Sequence, residues 1–257
     1  MPRPSRHVAG RFASVDALKA WIEASRRNSR QWEDAAWQRR NGLSAVDLAR
    51  LDLLKDESAL RASLRYPAVV TPYYLSLADW SNPRDPILRQ CLPDGREMMR
   101  LCSDAREDPF DEETLSPLPG LVHRFPDRVL LMVSRTCATR CRHCTRKNRL
   151  DSTDVLPATA AGFKAVTDYL QAHPGVHEAI LSGGDPLLLT DTRILRWVET
   201  LARLPQLDAV RIGTRVPCVM PMRVTPGLAR ALGRTGKVWV NTQFNHADEI
   251  TPESAAA

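Results

Sequence analysis

Apolar positions recur along this chain with two different periods, and the change comes near residue 128. From Ser14 to about Asn28, Val15, Leu18, Trp21 and Ile22 return at helical spacing behind Ser14, a residue suited to capping. A second helix is predicted to start at Ser44 and to run through Val46, Leu48, Leu51 and Leu54. Between the two, Trp32 and Trp37 are expected to anchor the helices to a core. Residues 66–120 contain Pro67, Pro72, Pro83, Pro86, Pro93, Pro109, Pro117 and Pro119, which disfavours long helices and predicts short ones on an extended connector.

Beyond Arg128 short β-rich runs alternate with helical segments: RVLLMVS at 128–134, EAILS at 178–182, AVRIG at 209–213 and VWVN at 238–241. The helices between them are punctuated. Pro157 opens one that Pro174-Gly175 closes, and Thr225-Pro226 opens another that ends near Gly233. Within 190–204, Ile194, Leu195, Val198, Leu201 and Ala202 form one apolar face. This alternation predicts an α/β fold with four parallel strands and three crossover helices.

With 257 residues and 43% hydrophobic content, the chain can bury a sizeable core in one large domain or two smaller ones. No run of eighteen apolar residues occurs, and the opening MPRPSRHVAGRF lacks the apolar centre of a secretory signal. A soluble cytoplasmic protein with no membrane partner is therefore expected. Six cysteines without the even spacing of a secreted scaffold suit a reducing compartment. The net charge of +6 does not indicate nucleic acid, because the basic residues are spread among 30 acidic ones and no nucleic-acid motif is present.

Three of the cysteines change the picture. Cys137, Cys141 and Cys144 form a CxxxCxxC within SRTCATRCRHCTRKNR at 134–149. Three thiolates at those offsets can cap three corners of a [4Fe–4S] cluster and leave its fourth iron open to a ligand. A Cys3His zinc site completed by His143 competes with this reading, although zinc sites of that kind draw their ligands from two separated pairs. Arg140, Arg142, Arg146, Lys147 and Arg149 give the loop a basic character suited to thiolates, an anionic cluster and a carboxylate substrate. Cys91, Cys102 and Cys218 stand alone in the sequence and are expected to be small core residues.

Each remaining unusual segment also follows a predicted strand. Ser182-Gly183-Gly184-Asp185-Pro186 follows the second, Gly213-Thr214-Arg215 the third, and Asn241 to His246 the fourth. In a (β/α) barrel such loops gather on one face. A Gly-Gly pair there permits close approach of backbone to a ligand.

Taken with SPLPGLVHRFPDRVLL at 116–131, CRHCTRK at 141–147, LSGGDPLLL at 181–189, TRVP at 214–217 and FNHADEIT at 244–251, the chain resembles lysine 2,3-aminomutase and its relatives among the radical S-adenosylmethionine (SAM) enzymes. The segment from Trp32 to Asn41 and Thr71-Pro72-Tyr73-Tyr74 extend the likeness nearly end to end. It implies residues 1–120 as a helical N-terminal region and connector, and 121–257 as a partial (β/α) barrel of radical SAM type with four of about six strands. It further implies a [4Fe–4S] cluster on Cys137, Cys141 and Cys144 that cleaves SAM, and pyridoxal phosphate (PLP) that holds the substrate amino group. The expected reaction moves an amino group from C2 to C3 of an amino acid after a 5′-deoxyadenosyl radical removes a β-hydrogen.

By the same resemblance, His143 takes the place of the aromatic ring beside the adenine, Ser182, Gly183, Gly184 and Asp185 hold the methionyl part of SAM, and Arg215 is a further cofactor-binding residue. Arg146 matches the arginine that grips the substrate carboxylate, a task suited to a planar guanidinium fork. Arg128 is open between a PLP contact and a structural role, and His246 between a ligand contact and a loop cap. Met222 and Gln243 depart from the family, which commonly has Gln and His there. Expected partners are a small amino-acid substrate, a low-potential electron donor such as flavodoxin or ferredoxin, and a second copy of the chain. Lysine, glutamate, arginine and a protein-bound lysine stay open as substrates.

Because the chain stops after the fourth predicted strand, the family's remaining strands and its Gly-rich loop with the PLP lysine are expected to be missing from it. Lys19, Lys55, Lys164 and Lys237 are assigned to helices or a strand start, and only Lys147 to the catalytic face. The chain alone is therefore expected to leave an unpaired sheet edge and not to perform the amino migration. Alternatives are a radical SAM enzyme of another reaction type, a non-catalytic iron–sulfur-binding remnant and, weakest, a nucleic-acid-binding zinc module.

Overall fold

Ser14 caps α1 (Val15–Arg27) by accepting from the Ala17 amide, and the helix buries Leu18 and Ile22. The computed structural model of the protein describes residues 12–54, 56–99, 106–150 and 155–257. Lys55, Cys102 and the N-terminal segment therefore lie outside the described residues. Two short helices follow, α2 (Ser29–Trp32) and α3 (Ala35–Arg40), capped by Asn28 and Asp34. Trp32 is buried, and ring contacts run from Trp21 to Trp37 at 5.4 Å, Trp37 to Trp32 at 6.1 Å and Trp32 to Tyr73 at 6.3 Å. The two tryptophans thus join the helices to the core.

β1 (Leu43–Ser44) leads directly into α4 (Ala45–Arg50), which Ser44 and Asp47 close with a capping box. The sequence predicts this helix to reach Leu54, yet it ends four residues earlier. Asp52 adopts φ +57°, and the Leu53 and Asp52 amides turn back to the Leu48 and Ala49 carbonyls. That reverse turn satisfies the terminal carbonyls and terminates the helix. α5 (Glu57–Arg65), β2 (Val69–Val70), α6 (Pro72–Leu75) and α7 (Pro86–Cys91) complete the N-terminal region, with β1 and β2 paired antiparallel.

The main sheet has five strands, β3 (Leu121–Phe125), β4 (Arg128–Ser134), β5 (Glu178–Gly183), β6 (Ala209–Gly213) and β7 (Val238–Asn241), in that spatial order. β4 to β7 are parallel, as their alternation with helices predicts. The count of four strands needs correction: β3 is an additional strand that pairs antiparallel with β4 across a tight Pro126-Asp127 turn. A proline just past its end and a place on the sheet edge leave β3 without a strand signal in sequence, since an edge strand tolerates such flanking residues.

The crossovers are α8 (Ala160–Ala172), α9 (Asp191–Ala202) and, after the short α10 (Val216–Val219), α11 (Pro226–Gly233); α12 (Pro252–Ala256) follows β7. Strand side chains alternate. Val129, Leu131, Ala179, Leu181, Val210 and Ile212 are buried in one core with Val166, Ile194, Trp197 and Leu228 from the helices. On the opposite face Leu130 and Ile180 are half-buried, and Arg211 is held by Glu178 at 2.6 Å. β7 forms the other edge, with Trp239 64% exposed. No described helix is long and apolar enough to cross a membrane.

Leu181 is fully buried on a central strand, so Leu181→Ala should cost about 2–5 kcal/mol of unfolding free energy. Trp239→Ser on the exposed edge should cost less than about 1 kcal/mol. Urea denaturation of both variants checks this: equal losses would mean that the sheet does not bury the side assigned to it.

Candidate functional site

Parallel pairing places the ends of β4, β5, β6 and β7 on one side of the sheet, so the four loops that follow them meet there. Their contacts are direct. Gly184 and Asp185 amides donate to the Ser134 and Thr136 carbonyls at 2.6 and 2.7 Å, which fastens the second loop to the lead-in of the cysteine loop. Gly183 has φ +104°, and a Cβ on it would stand 2.4 Å from the Ser134 oxygen. On Gly184 a Cβ would meet the Thr136 oxygen at 2.5 Å. The glycine pair is thus needed for backbone to lie against backbone beside Cys137.

Asp185 is buried, and its carboxylate accepts from the Thr214 hydroxyl at 2.6 Å and from the Arg215 and Leu187 amides at 2.9 and 3.0 Å. Burial pushes its carboxyl above the usual range, and these donors offset part of that. Its oxygens are therefore occupied within the protein, where they fix the loop that carries Arg215.

Cys137, Cys141 and Cys144 are half-buried in the first loop. Burial pushes the Cys137 and Cys141 thiols up, and their proximity to one another and to Cys144 adds to the shift. Among the described residues, no three His, Cys, Asp or Glu side chains are grouped as ligands of one metal ion. Arg215 supplies the positive charge at the thiols: Nη1 donates to Cys141 Sγ at 2.8 Å and Nη2 lies 3.3 Å from Cys218 Sγ. Arg215 Nε is buried and has no partner. Cys91 and Cys218 are fully buried, in keeping with core positions. They are not remote in space, since the Cys141 thiol acts on Cys91 and Arg215 Nη2 lies 3.3 Å from Cys218 Sγ.

The basic residues of the cysteine loop are largely paired by carboxylates from the connector. Arg142 makes a two-point contact with Glu97 at 2.9 Å, and Lys147 reaches the same carboxylate at 2.8 Å. Arg146 donates to Glu112 from Nε at 2.9 Å and from Nη2 at 2.5 Å, and Arg149 approaches Glu112 at 3.5 Å. The remaining arm of Arg146, Nη1, faces Ser182 Oγ at 3.5 Å. Arg146 also lines a cavity of about 340 Å³ with Phe110, Arg124, Phe125 and Arg128. Arg124 lies over the Phe110 and Phe125 rings, while Arg128 is held by Asp127 and Glu178. His143 is exposed and its Nε2 lies 3.3 Å from Gln243 and 3.4 Å from Asn245, so the first and fourth loops meet there. Desolvation and then Arg215 push the His143 imidazole below its ordinary value. His246 caps the turn at 247–249, and Met222 packs against the core.

Sequence reasoning misses Glu97, Glu112 and Glu249. Glu249 is fully buried and accepts from Arg215 at 2.8 Å, Tyr74 Oη at 2.5 Å, Gln90 at 2.9 Å and the Asn245 amide at 2.5 Å. Burial opposes its ionisation, but the Tyr74, Asn245, Arg215 and Gln90 donors together hold its carboxyl below the ordinary value. In sequence it is one acid among many, and only its place inside FNHADEIT distinguishes it.

No protein-family model matches the chain. It is 42% identical over 230 residues to the L-lysine 2,3-aminomutase of Acetoanaerobium sticklandii, which covers 88% of this chain and 55% of the relative. Against the L-lysine 2,3-aminomutase of Clostridium subterminale it is 42% identical over 232 residues, with the same two shares, 88% and 55%. The glutamate 2,3-aminomutase of Clostridioides difficile is 33% identical over 233 residues, 88% of this chain and 54% of that one. The chain spans about half the length of the curated relatives it matches.

The depressed carboxyl of Glu249 sets a pH dependence. A carboxylate whose folded value lies below its unfolded one stabilises above the unfolded value of about 4.5, and that contribution is lost as pH falls through the folded value. Glu249→Gln should therefore lower stability at pH 7 by about 3 kcal/mol, as expected for breaking a buried ion pair. The gap to the parent should narrow in acid. Urea titrations at pH 7 and pH 4 compare the two, and a gap that does not change with pH would contradict an ionised Glu249.

Proposed function

The chain belongs to the lysine 2,3-aminomutase family, and on that premise we propose that it forms the cluster- and SAM-binding portion of a radical SAM 2,3-aminomutase, an enzyme that moves an amino group between C2 and C3 of an amino acid. The observation that carries this reading is the convergence of Cys137, Cys141 and Cys144 with Arg146 and the glycine loop at the strand ends. The donor set fits the cofactor: three half-buried thiols of one loop, with a guanidinium on one of them, suit an anionic cluster better than an isolated cation. Cys137, Cys141 and Cys144 would hold a [4Fe–4S] cluster in a partial (β/α) barrel. When bound, the cluster, SAM and PLP supply electron transfer, a hydrogen-abstracting radical and stabilisation of the migrating nitrogen.

The chain's own residues bind and orient. His143 and Ser182 would flank SAM, and Gly183-Gly184 and Asp185 shape the loop beneath it. The cavity bounded by Arg124, Arg128, Phe110 and Phe125 fits an aromatic phosphate such as PLP next to a substrate carboxylate at Arg146. Glu112 takes Nε and Nη2 of Arg146, which aims Nη1 at the cleft. The substrate is a small amino acid, and electrons come one at a time from a low-potential donor protein.

Anaerobic reconstitution with iron and sulfide should give a [4Fe–4S] cluster whose electron paramagnetic resonance signal changes on addition of SAM. Cys137→Ala, Cys141→Ala and Cys144→Ala should each lose it, while Cys91→Ala and Cys218→Ala keep it. Uptake of zinc with no response to SAM would sink the proposal. In a full-length relative, the change equivalent to Arg146→Lys should weaken substrate binding by roughly 10-fold or more, as expected for losing a charge-assisted fork. Isothermal titration with SAM present measures this, and unchanged affinity would return Arg146 to a structural role.

A further inference from the structure

Arg215 is surrounded by a set of partners that the proposed chemistry does not require. It follows β6, and the resemblance assigns it only to cofactor binding. In the structure its side chain is 12% exposed and its two terminal nitrogens are directed differently. Nη1 points at Cys141 Sγ at 2.8 Å, whereas Nη2 is held by Glu249 at 2.8 Å and Gln90 at 3.1 Å, with Tyr74 at 3.4 Å. The backbone is pinned as well, because the Arg215 amide donates to the buried Asp185. Both ends of the residue are thus fixed before any ligand arrives. A guanidinium is planar, so fixing Nη2 and the main chain also fixes the direction of Nη1. Glu249 cannot easily be drawn away, since it is fully buried with Tyr74, Gln90 and the Asn245 amide on its oxygens.

We propose that Arg215, aimed by Glu249 and Asp185, is a positioning and tuning residue that donates a charge-assisted hydrogen bond to the cluster ligand Cys141. This inference rests on the proposed [4Fe–4S] site. A donor on a cluster sulfur withdraws electron density, and a positive charge beside it favours the more negative reduced state, so both raise the reduction potential. The cations of the cysteine loop are less available for this role, because Glu97 and Glu112 hold four of them in ion pairs. Arg215 therefore sets how readily one electron from an external donor enters the cluster.

The test uses the reconstituted chain and dithionite as the one-electron reductant. Paramagnetic resonance followed through a redox titration should give a more negative midpoint for Arg215→Gln than for the parent, at equal iron and sulfide content. Arg215→Lys keeps the charge and should fall between them. Pulsed resonance of the reduced parent labelled with 15N-arginine should show a weak nitrogen coupling that is absent from Arg215→Lys. A structural role alone would not produce that coupling. If Arg215→Gln holds no cluster, the labelled parent and Arg215→Lys still decide. A parent cluster without arginine coupling, or unchanged midpoints, would overturn the inference and leave the proposed function standing. A parent that takes up no iron–sulfur cluster would overturn both.

Discussion

The buried pair of Arg215 and Glu249 is the constraint on which the site depends. Removing two charges from water costs several kcal/mol each, and the cost is offset only where every remaining donor and acceptor is matched. Glu249 meets that condition with Tyr74, Gln90 and the Asn245 amide, whereas Arg215 meets it at its two terminal nitrogens, through Gln90, Tyr74 and the thiols, and leaves Nε without a partner. These partners come from α6, α7, the cysteine loop and the loop after β7. The pair can persist only if all of those segments occupy their places, so satisfying two charges fixes the relative positions of four pieces of chain.

A second layer of matched charge holds the N-terminal region over the strand ends. Glu97 and Glu112, both from the connector, gather Arg142, Lys147, Arg146 and Arg149. Arg140 and Arg142 amides also donate to the Val69 and Gln90 carbonyls, and Thr71 Oγ1 donates to the Val219 carbonyl. Individually such contacts contribute modestly. Together they let the connector carry the counter-charges for a strongly basic loop, while leaving one arm of Arg146 directed at Ser182 and the cavity.

The local sequence was sufficient for much of this. Periodicity located β4, β6 and β7 to the residue and placed α8, α9 and α11 between them, because a strand buried on one face and an amphipathic helix each leave a repeat that does not depend on their neighbours. Cysteine spacing alone singled out Cys137, Cys141 and Cys144, and a Gly-Gly pair after a strand marked a close approach. Where local signals were weak the reading missed. β3 is not predicted because an edge strand beside a proline has little pattern of its own, and α4 stops short because Asp52 adopts a left-handed turn that its identity permits but does not require.

The sequence by itself determined the α/β class, the four parallel strands and the three cysteines, since each rests on a pattern within a short stretch. Only the tertiary structure decided which charges meet. Glu97 lies 45 residues from Arg142, Glu112 lies 34 from Arg146, and Arg215 lies 74 from Cys141. Over such separations sequence offers many possible partners for every arginine, because one carboxylate resembles another until burial removes water as the competing partner. The thiols therefore receive their cation from β6, and the glycine loop lies against backbone at 134–136. The fold brings those groups within contact distance, and the cost of leaving a buried charge or amide unpaired holds them there.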